Sequence, residues 1–188
     1  CLARGLGDVY KSQPADVIAA DLDGDGNPAI ATANAGAGSV SVAWNSGTGT
    51  GPTWAEFDTV DEIDLPDDSE TPLSIRPGDF DAGVMTAPFL ATANSGTDSI
   101  GLIEIGPARS LIARPSIPVD AGPRELIVAD LDQDGRDDIV TVNQAGNSLR
   151  VALNISPPTP PLDTSSVLPI APPGQLPRTL TPCHFSDD

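Results

Sequence analysis

The chain of 188 residues carries 27 acidic and 9 basic residues, which gives a formal net charge of −18, and only 4% of its residues are aromatic. This charge argues strongly against a nucleic-acid-binding protein, because phosphates are bound by Lys and Arg, and against electrostatic binding to anionic membranes. The sequence has no run of the ~20 apolar residues that a transmembrane helix requires. An excess of carboxylates instead suits a protein that carries divalent cations.

Residues 1–13 precede the first recognisable unit, and we interpret them as the end of a preceding unit or as an N-terminal extension. Cys1 and Cys183 lie near opposite ends of the chain, and neither has the spacing of a Cys-x-x-Cys or zinc motif. Two interpretations of these cysteines stay open. Cys1 is the lipid-anchored first residue of a mature bacterial lipoprotein, or it forms a disulfide with Cys183 or with another chain.

Three segments of the chain repeat one pattern. In each, a proline stands seven residues before an aspartate, and an asparagine follows that aspartate after 13 residues, or after 15 in the second copy. These positions are Pro14, Asp21 and Asn34, then Pro72, Asp79 and Asn94, then Pro123, Asp130 and Asn143. Since a fixed internal period marks a repeated supersecondary unit, the register predicts units at 14–71, 72–122 and 123–156.

Each unit is predicted to form about four β-strands. Short runs such as DVIAA, ELIVA and DIVTV are rich in β-branched residues and bounded by Gly, Asn and Asp. Residues 53–65 and 110–119 supply a further strand to the first and second units, and no segment has helical periodicity. We therefore expect an all-β protein of three four-stranded repeats, each of the size of a β-propeller blade.

The third unit contains the acidic loop ADLDQDGRDDIV, at residues 129–140. Alternating carboxylates converge on one hard cation when the backbone turns sharply, and the glycine at position 6 of the loop permits that turn. Calcium takes six to eight oxygen ligands of this kind. The predicted ligands are the side chains of Asp130, Asp132, Asp134 and Asp138 and the backbone carbonyl of Arg136.

The loop is not an EF-hand, although it begins in the same way. An EF-hand requires a bidentate Glu at position 12 and helices on both sides. Position 12 is Thr141 in the third unit and Thr32 in the first, and the flanking segments are predicted strands.

The other two units carry weaker versions of the loop. In the first, the predicted ligands are Asp21, Asp23, Asp25 and the carbonyl of Asn27, but position 9 is Ala29. We expect a weaker site there, or one completed by water or a neighbouring group. The second unit reads DFDAGVMTA, which keeps Asp79 and Asp81 but has Gly83 and Met85 at the other ligand positions, and we expect it to bind calcium poorly or not at all.

The loop DLDQDGRDDIV, with PRELIVA before it and TVN after it, resembles the FG-GAP/VCBS repeats, and the resemblance covers residues 14–154. It implies β-propeller blades in which one or two calcium ions have a structural role. Propellers typically have 4–8 blades, so three units form an incomplete ring. A second copy, other chains or a partner covering an open stack would then cover the terminal blades.

The sequence favours a protein that is not an enzyme. The carboxylates of each loop would saturate the ion, whereas a catalytic ion keeps an open position beside acid–base groups. The single histidine is His184, and no Ser-His-Asp arrangement is recognisable.

Residues 157–188 are predicted to form an irregular, Pro-rich extended tail, because 157–182 holds nine prolines. It is a linker, or an arm that lies along a partner through Val167, Leu168 and Ile170. The sequon at Asn154 is followed directly by Pro157, which disfavours glycosylation.

These features together predict a calcium-stabilised structural or interaction subunit of a larger assembly, located in the extracellular space, on the cell surface or in the periplasm. The alternative is a lectin-like module that binds glycans. Its aromatic candidates are Tyr10, Trp44 and Trp54, of which Trp44 fits packing better.

Overall fold

A computed structural model describes residues 13–47, 57–66, 71–80 and 88–154, and the backbone of 163–168. The predictions made for Cys1, Tyr10, Trp54, Asp81 and Cys183 lie outside these residues.

The described chain consists of three antiparallel four-stranded sheets, which confirms the predicted all-β class. Sheet 1 has the order β1-β2-β3-β4, sheet 2 the order β5-β6-β7-β8, and sheet 3 the order β9-β10-β11-β12. A short 3-10 turn, Pro107–Arg109, connects β7 to β8. The strands are β1 (Pro14–Ala20), β2 (Ala29–Asn34), β3 (Ser39–Asn45), β4 (Phe57–Asp64), β5 (Pro72–Gly78), β6 (Phe89–Asn94), β7 (Ser99–Ile105), β8 (Leu111–Pro118), β9 (Pro123–Ala129), β10 (Asp138–Asn143), β11 (Ser148–Leu153) and β12 (Asp163–Leu168).

The last strand corrects the prediction of an irregular tail. β12 lies inside the segment that was expected to be irregular, and it pairs with β11, with Val167 opposite Arg150. The sequence DTSSVL contains no proline and includes the β-branched Thr164 and Val167, so all six of these residues have the backbone N–H that a ladder uses. The third unit therefore extends past residue 156.

The sheets stack in chain order, each burying one face against the next. One core, between sheets 1 and 2, contains Ala31 and Trp44 on one side and Ile75 and Leu90 on the other. The second core, between sheets 2 and 3, joins side chains such as Ala91 and Ile100 to Leu126 and Ile139. Sheet 2 is thus covered by a sheet on each face, and every residue of its strand β6 is buried.

For each sheet, the N-side face is the one that points towards the sheet earlier in the chain. In sheet 2 it presents Ile75, Leu90 and Ile103, and in sheet 3 it presents Leu126 and Ile139. The equivalent face of sheet 1 has no preceding sheet among the described residues.

The first strands of the three sheets lie side by side, with β5 between β1 and β9. Arg76 of β5 is 2.6 Å from the Asp16 carboxylate of β1 and 3.9 Å from the Glu125 carboxylate of β9. A charged side chain of the middle sheet therefore links all three.

Candidate metal centres

The third acidic loop is folded by its own carboxylates. Asp130 accepts hydrogen bonds from the backbone N–H groups of Asp134 at 3.2 Å and Gly135 at 3.0 Å, and Asp132 accepts one from Asp134 at 3.2 Å. Gly135 has φ of 85°, where a residue with a Cβ is disfavoured. These hydrogen bonds fold the backbone around the acidic side chains, and all of them are made within the protein itself.

Three of the four predicted carboxylates of this loop converge. Single oxygen atoms of Asp130, Asp132 and Asp138 all lie within 4.8 Å of one another. Ligands on opposite sides of a calcium ion are about 4.6–5.2 Å apart, since each oxygen lies ~2.3–2.6 Å from the metal. The spacing and the all-oxygen donor set therefore fit calcium.

Asp138 anchors this cluster in the protein interior. Its side chain is buried, and its two oxygens accept 2.8 Å hydrogen bonds from the backbone N–H groups of Leu131 and Asn154. A buried carboxylate next to two others is costly unless a cation compensates it. Within the described residues, none of the ion pairs joins an arginine or lysine to Asp130, Asp132 or Asp138.

The fourth predicted carboxylate, Asp134, lies outside this cluster. It is 3.1 Å from the Nε of Arg136 and accepts a 3.0 Å hydrogen bond from the backbone N–H of Arg136. From the sequence, only the backbone carbonyl of Arg136 was predicted to take part in the site. The pairing of its side chain with Asp134 was not predicted.

Asp137 is a further acidic residue at this site that the sequence analysis missed. Its carboxylate accepts a 2.7 Å hydrogen bond from the N–H of Asp79, and its own N–H donates to the Asp79 carbonyl at 2.9 Å. Burial raises the pKa of Asp137, and the negative charges of Asp79, Asp130 and Asp138 raise it further. The start of the second acidic loop thus docks on the third, and a cation here would relieve the repulsion.

In the first loop, all three predicted carboxylates come together. Oxygens of Asp21, Asp23 and Asp25 lie within 4.8 Å of one another, on side chains of exposed residues. Asp21 accepts hydrogen bonds from the backbone N–H groups of Gly24 at 2.9 Å and Gly26 at 3.0 Å, and the bond from Gly26 corresponds to the bond from Gly135 to Asp130 in the third loop.

The missing ligand of the first loop follows from the sequence. Position 9, Ala29, is buried in the core between sheets 1 and 2 and offers no oxygen from its side chain. The N–H of Asn27 donates to Asp25 at 2.7 Å, and this bond, together with the charge of Arg109, lowers the pKa of Asp25. Each loop therefore brings three carboxylates together, and the third loop differs in that one of its three, Asp138, is buried.

Arg109, from the turn between β7 and β8, contacts the first loop. Its Nε donates to Asp23 at 2.7 Å and its Nη2 donates to Asp25 at 3.3 Å. The same guanidinium lies 5.3 Å from the centroid of the Trp44 ring. This contact spans 86 residues of sequence, and no local pattern indicates it.

Two other candidates from the sequence are packed in the interior. Trp44 is 1% exposed and donates a 2.7 Å hydrogen bond to Asp61, so it is a core residue and not a platform for a sugar ring. Asn154 is also 1% exposed, and its side-chain amide donates to the Phe80 carbonyl at 2.8 Å, so the sequon asparagine is buried.

Comparison with known proteins adds no family. A scan against models of protein families gives no match, and a search of curated proteins gives no significant match. Among the described residues, no helix is long and apolar enough to cross a membrane. The resemblance of the acidic loops to FG-GAP/VCBS repeats therefore stays a prediction.

Proposed function

We propose that this chain is a calcium-stabilised structural and interaction subunit of an extracytoplasmic assembly, at a cell surface, in the extracellular space or in the periplasm. Its three sheets would be blades of the FG-GAP/VCBS type. The observation that carries the proposal is the N-side face of sheet 1. No other described sheet covers this face, and it has the apolar character of the faces that are buried in sheets 2 and 3.

Three residues occupy the same place in the three sheets. Val17, Ile75 and Leu126 are each on the first strand, and each lies opposite a threonine of the second strand. Ile75 and Leu126 are 0% exposed beneath the preceding sheet, whereas Val17 is 60% exposed. Burying a side chain of this size is worth about 1.5–3 kcal/mol, so the exposed Val17 marks a place for a neighbour.

The apolar surface continues across the whole width of sheet 1. Ala19, Ile30, Ala43 and Val60 are register partners on four successive strands, and Val60 is 67% exposed. In sheet 2, the corresponding positions of the central strands are Leu90 and Ile103, both fully buried. A further β-sheet stacked on this face would complete the interface that the chain already makes twice. We propose that a second copy of the chain supplies that sheet.

Calcium would hold the loops that join the first and second strands of sheets 1 and 3. A ligand that binds only the folded state stabilises it by mass action. Loops with few or exposed carboxylates suit the weak affinities of extracellular calcium modules, about 10⁻⁴–10⁻³ M. The donor sets offer no acid–base partner to a substrate, so the role proposed for the ion is structural.

The test is the absolute mass in solution, measured by light scattering in millimolar calcium over a range of protein concentrations. We expect two or more chains per particle, and dissociation in the double variant Val17→Glu and Val60→Glu. The matched control is Ile112→Glu, at an apolar side chain of β8 that is 39% exposed. A folded wild-type monomer at every concentration would contradict self-association through sheet 1.

A further inference from the structure

Arg109 gives the first acidic loop a cation of its own. Its guanidinium lies 2.7 Å from Oδ2 of Asp23 and 3.3 Å from Oδ2 of Asp25. The other oxygens of these two carboxylates accept backbone N–H groups of the loop, from Asp25 and Asn27. Arg109 therefore lies on the carboxylate oxygens that the loop backbone leaves available.

The backbone that presents Arg109 is in an unfavourable conformation. Ala108 and Arg109 have φ of 56° and 64°, so two successive residues with a Cβ are left-handed, which costs free energy at each. Hydrogen bonds close the turn around them, from Gly106 N–H to Ser110 O at 2.8 Å and from Ser110 N–H to Pro107 O at 3.3 Å. Strain of this kind persists only where surrounding contacts hold it in place, and the contacts of Arg109 with the loop and with Trp44 are among these.

Among the described residues, no arginine or lysine from another sheet pairs with a carboxylate of the third loop. Its arginine, Arg136, belongs to the loop itself and pairs with Asp134, which is not one of the three clustered carboxylates. In the first loop, by contrast, the cation comes from sheet 2, so the pairing also fastens sheet 2 to sheet 1.

We propose that Arg109 is a tethered competitor of calcium at the first loop. The inference rests on the proposed function, because it takes the first loop to be a calcium site. A divalent ion that binds Asp21, Asp23 and Asp25 displaces the guanidinium from the carboxylates and from the Trp44 ring. The third loop then fills at lower calcium concentration than the first. Calcium binding at the first loop releases one contact between sheets 1 and 2, which makes that contact responsive to calcium.

Trp44 reports this event, since a guanidinium over the indole ring is part of its environment. The experiment uses the full chain with Trp54→Phe, which leaves Trp44 as the single tryptophan of the two. Calcium is titrated while heat and Trp44 fluorescence are recorded. We expect two binding phases, with the fluorescence change confined to the weaker one.

The variant Arg109→Gln is expected to raise the affinity of the weaker phase roughly two- to fivefold, the range of an exposed ion pair, and to abolish its fluorescence change. Arg109→Lys keeps the positive charge but lacks the planar guanidinium. Its calcium affinity in the weaker phase should lie between those of wild type and Arg109→Gln. Arg114→Gln is the matched control. Arg114 lies in the same sheet as Arg109, but it pairs with Glu104 and not with a carboxylate of either acidic loop. It should change neither phase.

The outcomes separate this inference from the proposed function. If both loops bind calcium and Arg109→Gln leaves the affinity unchanged or lowers it, Arg109 is not a competitor and only the inference fails. A lowered affinity would mean that Arg109 instead orients the carboxylates. If neither loop binds calcium, the calcium part of the proposed function fails as well.

Discussion

Arg76 of β5 donates a 2.6 Å hydrogen bond to the Asp16 carboxylate of β1, so a charge pair joins the first two sheets at their first strands. Burial alone would raise the pKa of Asp16, but the hydrogen bond from the Ile75 N–H and the guanidinium of Arg76 outweigh it and lower the pKa. Ser74 adds a hydroxyl donor at 3.2 Å. The ionised form of Asp16 is therefore part of the folded structure.

Stability is expected to fall in acid through Asp16. Because the folded pKa is depressed, its stabilisation is complete above the unfolded value of roughly 3.9 and is lost as pH falls through the lower folded value. Asp16→Asn should lower the free energy of unfolding by about 1–3 kcal/mol at neutral pH, and the difference from wild type should shrink below about pH 4. Urea unfolding at a series of pH values measures this, with the exposed Asp64→Asn as the control. An equal difference at all pH values would contradict the assignment.

The two acidic loops should differ in how much calcium stabilises the fold. Removing millimolar free calcium with a chelator is expected to lower the free energy of unfolding by about 0.4–1.4 kcal/mol for each site, because the free ion then stands at about one to ten times a dissociation constant of about 10⁻⁴–10⁻³ M. Most of this loss should disappear in Asp130→Asn and less of it in Asp21→Asn, because the third cluster includes the buried ligand Asp138 whereas the three aspartates of the first cluster are exposed. Thermal scans with chelator and with millimolar calcium compare the three proteins. Equal effects of the two variants would contradict the ranking of the loops.

Asp138 is expected to serve the fold even without calcium. Both of its oxygens accept backbone N–H groups, so the amide of Asp138→Asn would place a donor against a donor and cost about 1–3 kcal/mol in the presence of chelator. Asp132→Asn is the matched comparison, since Asp132 belongs to the same cluster but is exposed. Asp132→Asn should lose only the part of the free energy of unfolding that depends on calcium. A chelator-treated Asp138→Asn protein as stable as wild type would show that Asp138 acts only as a ligand.

The sequence predicts the parts of this structure that depend on local spacing. Strand alternation, turn residues and the aspartates at every second position of the loops are short-range signals, and they located the sheets and the acidic clusters. β12 was missed because the prolines around it dominated the composition, although DTSSVL itself contains none.

Contacts between sheets could not be predicted from the local spacing of residues. Arg109 reaches Asp23 and Asp79 reaches Asp137 across 86 and 58 residues respectively, and both contacts exist only because consecutive sheets stack. The alternation of residues along a strand indicates which side chains share a face of the sheet. It does not indicate which residue of the next sheet each of them will contact. The carboxylates of the candidate sites were therefore predictable, but the neighbouring groups that contact them and shift their pKa values were not.

The equivalent residues of sheets 1 and 2 give the sharpest test of the uncovered face. Ile75 is 0% exposed within the chain, so Ile75→Ala should cost about 2–5 kcal/mol at every protein concentration. Val17 is 60% exposed in the single chain, so Val17→Ala should cost less than about 0.5 kcal/mol in dilute protein. If a second copy covers this face, the cost of Val17→Ala rises with concentration, because association stabilises only the folded chain. Unfolding curves at low and high concentration measure the difference. A cost for Val17→Ala that stays small at all concentrations would mean that no copy of the chain binds there, and a large cost in dilute protein would mean that the chain itself covers Val17.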